Sequence, residues 1–359
     1  MKVMHPRPNP IIAAMYTLRD MDVDVIVIHG PAGCGFMASR MLEEAGVRVV
    51  TSSINESDLV FGAAQPLIDT LKSVKEKFNP KTVAIVGTCA SMIIGEDMKA
   101  AIKRANIGCN VFAVDCHGCM GDNTEGAVRA VEAGMVVGIL SKDETARQVK
   151  VMRAATTMEK KVGMAGKEYL SPVKGPTKMK VAKMIIEALR DGKKVAVVMV
   201  VKKELSYRFA DLFLAMDEAK KVVGGNTFYA ANFDSQIGLP RIRRYADDVL
   251  TDMRSKGVTL DVIKGGLDEY AIIGDEMKAE VDRFAPDLLI LAGIPHAYPG
   301  YSPDDILITD QPRQLANYLN MGCSFAVGEI SSHSMVMNAR KIIPLETGET
   351  IRELLEEYR

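Results

Sequence analysis

Apolar, β-branched runs alternate with segments of helical periodicity along nearly the whole chain. In the first third, four such runs predict strands, at residues 24–28, 47–51, 82–86 and 111–115. Four helices are predicted in the same region, at residues 38–45, 56–78, 98–104 and 124–133. Continuous apolar strands joined by helices are typical of a parallel sheet covered on both faces. The chain up to about Leu140 is therefore predicted to form one doubly wound α/β unit.

The remaining residues repeat this alternation after a helical stretch. Helices are predicted at residues 143–161 and 179–190, with a linker containing Gly, Pro and Ser at residues 163–176. Further strands are predicted at residues 195–201, 260–263, 288–292, 306–309 and 325–328, before a short charged helix at residues 351–358. The predicted organisation is an α/β domain (residues 1–142), a helical connection (residues 143–192) and a second α/β region (residues 193–359). The second region holds one or two Rossmann-like units, so the fold class is α/β with two or three stacked Rossmann-like parallel-sheet domains.

Composition narrows the class of protein. The 359 residues are 48% hydrophobic and 25% charged, which is the balance of a globular protein with a substantial core. A formal net charge of -1 gives no basic surface for nucleic acid or anionic lipid. The apolar runs are too short to span a membrane, and residues 1–10 contain three prolines and no apolar signal region. We therefore expect a cytoplasmic protein with no nucleic-acid or membrane partner.

Three of the six cysteines follow predicted strands directly. Cys34 lies in the loop HGPAGCGF, Cys89 in GTCASMIIGEDM and Cys116 in DCHGCMG. Because the carboxyl ends of parallel strands meet at one edge of a sheet, these loops are candidates for a shared site. Cys109 and Cys323 each precede an apolar strand, where an inert buried thiol is ordinary.

Thiolates in glycine-rich loops favour an iron–sulfur cluster, zinc or copper(I) over hard cations. Gly33 and Gly35 flank Cys34, and such turns expose N–H groups that suit negatively charged sulfur. A four-iron cluster usually takes four thiolates. Cys34 and Cys89 supply two, so a two-fold homodimer would supply four. The sequence thus predicts a [4Fe-4S] cluster that is held by Cys34 and Cys89 and shared between two subunits.

Other interpretations of these residues stay open at this point. Cysteines scattered through a core would need no ligand at all. The GPAGCG loop lacks the Lys-[Ser/Thr] of a phosphate-binding P-loop, so this chain is not expected to hydrolyse ATP. Cys116 and Cys119 form a C-x-x-C pair, which is also found in redox-active dithiols and in zinc sites.

The order of these loops resembles a known family. HGPAGCGF and TCASMIIGEDM look like the two cluster-binding loops of the nitrogenase-like catalytic components, which include nitrogenase and the dark-operative protochlorophyllide reductase. CHGCMGDNTEGA (Cys116–Ala127) is similar to the glycine-containing loop that follows in that family. The resemblance covers about the first third of the chain and implies a nitrogenase component 1-like fold. The family's additional upstream cysteine is missing, since its expected position falls in Arg7-Pro8-Asn9.

The resemblance also implies partners and chemistry. A compact homodimeric member of the family reduces a nickel tetrapyrrole and closes a lactam ring, so a tetrapyrrole substrate and reductive cyclase activity are expected. Electrons would come from a separate ATP-dependent reductase that resembles the nitrogenase iron protein and carries its own [4Fe-4S] cluster. Reduction of another substrate, or a scaffold role without turnover, are the alternatives.

Ring reduction needs protons, and a few residues near the predicted strand ends are candidates to supply them. His117 and Glu125 lie close to the cluster loops, and His296 follows the strand at residues 288–292. Each also has an ordinary structural interpretation: an acid at a helix start is stabilised by the helix dipole. Arg241, Arg243 and Arg244 are candidates for clamping substrate carboxylates, or form a basic exposed helix face.

Overall fold

The computed structural model describes residues 9–162, 170–331 and 340–358. Two compact units are present: an N-terminal unit that extends to Thr156 and includes Leu239–Arg241, and a C-terminal unit made of the other described residues from Thr157 onward. Within the described residues, no helix is long and apolar enough to cross a membrane. The predicted linker at residues 163–176 lies partly outside the described residues, and its remainder before Pro176 holds no helix or strand.

The N-terminal unit is built on a four-stranded parallel sheet with strand order β2-β1-β3-β4. Its strands are β1 (Val25–His29), β2 (Arg48–Thr51), β3 (Thr82–Gly87) and β4 (Asn110–Val114). Its helices are α1 (Pro10–Asp20), α2 (Phe36–Glu44), α3 (Glu56–Phe61), α4 (Ala64–Phe78), α5 (Cys89–Ile93), α6 (Met98–Ala105), α7 (Asn123–Val136) and the larger part of α8 (Lys142–Val162). The two central strands β1 and β3 are almost wholly buried, which confirms the prediction from their continuous apolar runs.

Helix α1 was not predicted, because apolar and small residues surround it on all sides. All of its residues are buried, so no polar face marks its period. Its start is nevertheless well specified: the Asn9 side chain accepts the N–H of Ile12 at 3.0 Å, and Pro10 occupies the first turn. The helix packs against α7, where Gly126 faces Pro10.

Replacing Gly126 by alanine is expected to destabilise the protein by about 1–3 kcal/mol. A Cβ atom at this position would lie 1.9 Å from the carbonyl oxygen of Pro10, so α1 and α7 would have to separate. The free energy of unfolding from denaturant titration would measure the loss. Gly33→Ala is the control, since a Cβ there meets nothing within 4 Å. Equal stability of both variants would contradict the assigned packing.

The predicted helix at residues 56–78 is wrong in one respect, since it is two helices. α3 ends at Phe61 because Gly62 has a φ of 99°, which a right-handed helix does not allow. The short helix α5, which begins at Cys89, was also missed between β3 and α6.

The C-terminal unit contains one six-stranded parallel sheet with strand order β10-β9-β8-β5-β6-β7. The strands are β5 (Lys194–Val200), β6 (Asn226–Ala231), β7 (Val262–Ile263), β8 (Leu288–Gly293), β9 (Ile306–Thr309) and β10 (Ala326–Gly328). The helices are α9 (Pro176–Arg190), α10 (Lys203–Phe209), α11 (Asp211–Val223), α12 (Pro240–Ser255), α13 (Gly274–Phe284), α14 (Pro312–Asn320) and α15 (Glu346–Leu355). Strand β6 escaped prediction because its first half carries Asn226 and Thr227 and is only partly buried. The terminal helix starts at Glu346, earlier than predicted, and ends in a 3₁₀ turn at Glu356–Tyr358.

Candidate functional site

The loop after β1 carries Cys34 in a 3₁₀ turn at Ala32–Gly35. The Cys34 N–H donates to the carbonyl of Pro31 at 3.0 Å, which fixes the turn. Gly35 is required by packing, because a Cβ there would lie 1.8 Å from Cδ1 of Ile28. Gly33 has open space instead, so the backbone on that side of Cys34 is free to approach a large ligand.

The loop after β3 is tied to the Cys34 loop by hydrogen bonds. The Thr88 hydroxyl donates to the carbonyl of His29 at 2.9 Å, at the end of the neighbouring strand β1. Thr88 and Ser91 cap helix α5, whose first residue is Cys89. Burial raises the pKa of the Cys34 thiol, and the nearby Cys89 thiolate raises it further. The two cysteines predicted as ligands therefore lie close enough to interact electrostatically.

The loop after β4 brings two more donors to Cys89. The Gly118 N–H donates to Sγ of Cys89 at 3.2 Å, and Cys119 shares a side-chain hydrogen bond with Cys89 that raises the pKa of the Cys119 thiol. The ligand atoms of Cys89, His117 and Cys119 all lie within 4.8 Å of one another. The Cys119 N–H also donates to Nδ1 of His117 at 3.3 Å. This grouping of Cys119 with Cys89 was not predicted.

Cys116 is set apart from this group by burial. Its side chain is fully buried, and burial raises the pKa of its thiol to about 12. Cys116 is outside the group of Cys89, His117 and Cys119 that could hold a metal ion. Cys119 is exposed and its Sγ lies within 4.8 Å of Sγ of Cys89, whereas Cys116 is near enough to Cys89 for its pKa to be raised by it.

The donor set fits an iron–sulfur cluster. Cys34 and Cys89 are half-buried free thiols in adjacent loops, and a backbone N–H already points at the sulfur of Cys89. Soft thiolates with N–H donors around them are the environment that such clusters require. The position of the missing family cysteine lies outside the described residues except for Asn9, which caps α1.

The proposed proton-relay acid, Glu125, and one arginine of the predicted carboxylate clamp, Arg241, are paired within the protein. Glu125, in the first turn of α7, lies 3.4 Å from Nε of Arg129 and 3.8 Å from an Arg153 nitrogen. Arg241 is buried, donates to Asp22 at 2.9 Å and donates to the carbonyl of Ala45 at 2.6 Å. Arg241 therefore forms its hydrogen bonds within the N-terminal unit and is not available to bind substrate carboxylates as predicted.

Large apolar side chains are exposed on elements next to the two cysteine loops. Phe61 and Ile93 are 89% and 84% exposed, and Phe36 directly follows the Cys34 turn. The N–H of Ala63 donates to the Glu96 side chain, which joins the end of α3 to the segment after α5. We call this set the apolar rim: Phe36, Val60, Phe61, Met92 and Ile93. Several large apolar side chains exposed on neighbouring segments are typical of an interaction site.

His296 lies in a short 3₁₀ turn, Pro295–Ala297, after β8 of the C-terminal unit. Its N–H donates to Oη of Tyr318 at 3.1 Å, and its ring lies 6.3 Å from the ring of Tyr270. Burial lowers the pKa of His296, so the neutral imidazole prevails at neutral pH.

Sequence reasoning missed Asp310, the residue that follows β9. Its side chain is buried, and among the described residues its carboxyl oxygens have no hydrogen-bond partner apart from the residue's own backbone N–H. Burial raises the pKa of Asp310 to about 7; Lys202 opposes this increase and Glu204 adds to it. An acidic residue directly after an apolar strand was the only available signal.

The Asp310→Asn variant is expected to respond differently to pH from the unchanged protein. The unfolded chain releases this proton near pH 3.9 and the folded chain only near 7. The folded state therefore binds more protons in this window, and the stability contributed by Asp310 falls as pH rises from about 4 to 7, by at most about 4 kcal/mol. Denaturant titration at pH 5 and pH 8 should show that the variant loses less stability across this range. Equal losses of stability in the variant and the unchanged protein between pH 5 and pH 8 would contradict the raised pKa of Asp310.

The family described as "Nitrogenase component 1 type Oxidoreductase" matches residues 9–213, more than half of the chain. Three relatives bear the name "Ni-sirohydrochlorin a,c-diamide reductive cyclase complex, component CfbD". The chain is 42% identical to the one from Methanothermobacter thermautotrophicus (97% of this chain, 98% of the relative) and 41% identical to the one from Methanosarcina acetivorans (99% and 98%). It is 38% identical to the one from Methanocaldococcus jannaschii (99% and 100%).

Proposed function

This chain belongs to the nitrogenase component 1 type oxidoreductase family, and on that basis we propose that it is the catalytic component of an ATP-dependent reductive cyclase. Its substrate would be the nickel tetrapyrrole Ni-sirohydrochlorin a,c-diamide, which is reduced and closed to a lactam ring on the way to the nickel coenzyme of methyl-coenzyme M reductase. The observation that carries this proposal is identity of 38–42% over nearly the full length of three relatives with that name.

The cofactor we propose is a [4Fe-4S] cluster shared between two copies of the chain. When bound, such a cluster supplies electrons one at a time. Cys34 and Cys89 would hold it from each subunit, since they are the half-buried thiols of adjacent loops. Gly33 and Gly35 shape the turn around it, and the Gly118 N–H stabilises the sulfur of Cys89. Cys116, in the loop after β4, would lie beneath the cluster as a fully buried thiol.

The partner we propose is a separate ATP-dependent reductase that resembles the nitrogenase iron protein and has its own [4Fe-4S] cluster. The name of the relatives, a component of a complex, supports a second component. This chain has no Walker A motif, so ATP hydrolysis belongs to that partner.

We propose His117, Glu125 and His296 as the residues that hold or move protons for the reduction. His117 is half-buried beside Cys89, and its Nδ1 accepts the Cys119 N–H, which leaves the proton of the neutral ring on Nε2. Glu125 would exchange protons while paired with Arg129. His296, neutral and held by Tyr318, is suited to contact the ring edge.

The experiment that tests this function combines the anaerobically purified protein with the reductase, ATP and the nickel diamide. Ring reduction, followed by visible absorption and mass spectrometry, is the expected result. Omission of either ATP or the reductase should stop it. Tight binding of the tetrapyrrole without turnover in the complete mixture would favour the scaffold alternative, and turnover of a different substrate would retain the family and reject this substrate.

A second candidate role rests on the grouping of Cys89, His117 and Cys119. Two thiolates and an imidazole within 4.8 Å are also a zinc-binding set. Metal analysis of the anaerobically purified protein separates the two: zinc without iron would support this role and would contradict the cluster.

A further inference from the structure

The six-stranded sheet of the C-terminal unit reverses its strand order between β5 and β8. From β5 the chain proceeds outward through β6 and β7, then returns to form β8, β9 and β10 on the other side. Loops that leave β5 and β8 therefore diverge toward opposite faces of the sheet. In open parallel sheets this divergence creates a crevice at the carboxyl edge, which is where ligands bind.

Charged and polar residues converge on this edge from three adjacent strands. Gly293 pairs with Val200 on one side and with Thr309 on the other, so the strand ends lie level. Lys202 follows β5, His296 follows β8, and Asp310 follows β9 immediately. The charges of Lys202 and Glu204 both act on the Asp310 carboxyl, which places the three side chains near one another.

The carboxyl groups at this edge are left without enough hydrogen-bond partners. Asp310 is only 1% exposed, and within the described ranges its carboxyl oxygens have no partner apart from the residue's own backbone N–H. Oε2 of Glu204 is buried and lacks a partner there too, while its Oε1 lies 3.8 Å from Nζ of Lys203. The nearest cations do not complete the set, because Lys203 is bound to Glu269. Buried polar groups without partners are costly, so their retention indicates a ligand that satisfies them.

We propose that Asp310 binds a carboxamide of the substrate and thereby distinguishes the amidated tetrapyrrole from its carboxylate precursor. This inference rests on the proposed function, since the relatives are named for a diamide. A protonated carboxyl and a carboxamide form two hydrogen bonds: the acid O–H donates to the amide oxygen, and the amide N–H donates to the acid oxygen. A substrate carboxylate in the same place would have no N–H to donate, and its charge would face Glu204.

The state of the Asp310 carboxyl agrees with this pairing. Burial raises its pKa to about 7, so a protonated fraction exists at neutral pH. Lys202 supplies positive charge beside it for a neighbouring carboxylate of the same ring. The edge therefore offers a carboxyl group that is partly protonated at neutral pH for an amide, and the nearby Lys202 ammonium for a carboxylate.

Two variants of Asp310 separate this role from a structural one, with binding measured by absorbance titration in the absence of reductase and ATP. The two ligands are the nickel a,c-diamide and the same tetrapyrrole with carboxylates in place of both amides. The unchanged protein should bind the diamide at least tenfold more tightly. Asp310→Leu, which has the same shape and no polar atoms, should weaken diamide binding about tenfold. Asp310→Asn should keep diamide affinity and strengthen binding of the carboxylate form, because its amide N–H donates to a carboxylate.

Asp304→Asn is the matched control, because Asp304 is exposed in the segment before β9. It should leave both affinities unchanged. If the unchanged protein binds the diamide and Asp310→Asn prefers the diamide over the carboxylate form to the same extent, this inference is wrong. The proposed function would not be affected by that result. Failure of the unchanged protein to bind either tetrapyrrole would overturn the proposed substrate together with this inference.

Discussion

Replacing Cys89 by alanine is expected to remove nearly all iron from the anaerobically purified protein. In a two-fold dimer each substitution is present twice, so a four-iron cluster held by two thiolates from each chain loses half of its ligands. Cys34→Ala should have the same effect, because Cys34 would supply the other thiolate of each chain and lies near enough to Cys89 for its pKa to be raised by it. Iron and sulfide analysis per chain is the measurement, with about two irons expected before substitution.

Cys109→Ala and Cys323→Ala are the controls for the loss of iron. Cys109 packs against the core of the N-terminal unit and Cys323 is buried in the core of the C-terminal unit, so neither lies in the loops that carry the predicted ligands. Both variants should keep their iron. Full iron content in Cys89→Ala would exclude the assigned ligands, whereas loss in Cys119→Ser as well would add the neighbouring thiol to the ligand set.

The strand ends that carry Cys34 and Cys89 were predictable from the chain alone. β1 and β3 each contain an uninterrupted apolar run (Val25–Ile28 and Val83–Val86) and pair with each other at the centre of their sheet, so the pattern and the burial agree. Because both strands are parallel, the two loops had to emerge at the same edge. The family resemblance of these loops was confirmed by the match over residues 9–213.

Other parts of the site depend on contacts that local patterns do not encode. The approach of Cys119 and of the Gly118 N–H to the Cys89 sulfur depends on how the loop after β4 folds against the loop after β3. Asp310 gains its unusual environment only because β9 lies beside β8 and near the residues after β5. The order of strands in the sheet brings together residues that are more than a hundred positions apart in sequence. The hydrophobic pattern within one segment cannot predict that order.

The apolar rim is the surface that we expect a second copy of the chain to cover. Phe36 adjoins the Cys34 turn and Ile93 ends the helix that begins with Cys89, so the rim and the thiols share the same loops. A cluster that takes two thiolates from each chain must lie where two copies meet. Burying each large side chain of the apolar rim would contribute about 1.5–3 kcal/mol to the free energy of dimerisation. Each side chain is present twice in a two-fold dimer.

Introducing charge into the rim with the double variant Phe61→Asp and Ile93→Asp is therefore expected to convert dimers to monomers and to remove the iron with them. Four carboxylates per dimer would have to be desolvated at an apolar contact, which opposes association strongly. Light scattering and iron analysis on the same anaerobic sample measure both consequences. Val136→Asp is the matched control: this side chain is 81% exposed but ends helix α7, roughly 20 Å along that helix from the cysteine loops. A dimer that retains its iron in the double variant would show that two copies meet elsewhere, and the shared cluster would then have to be abandoned.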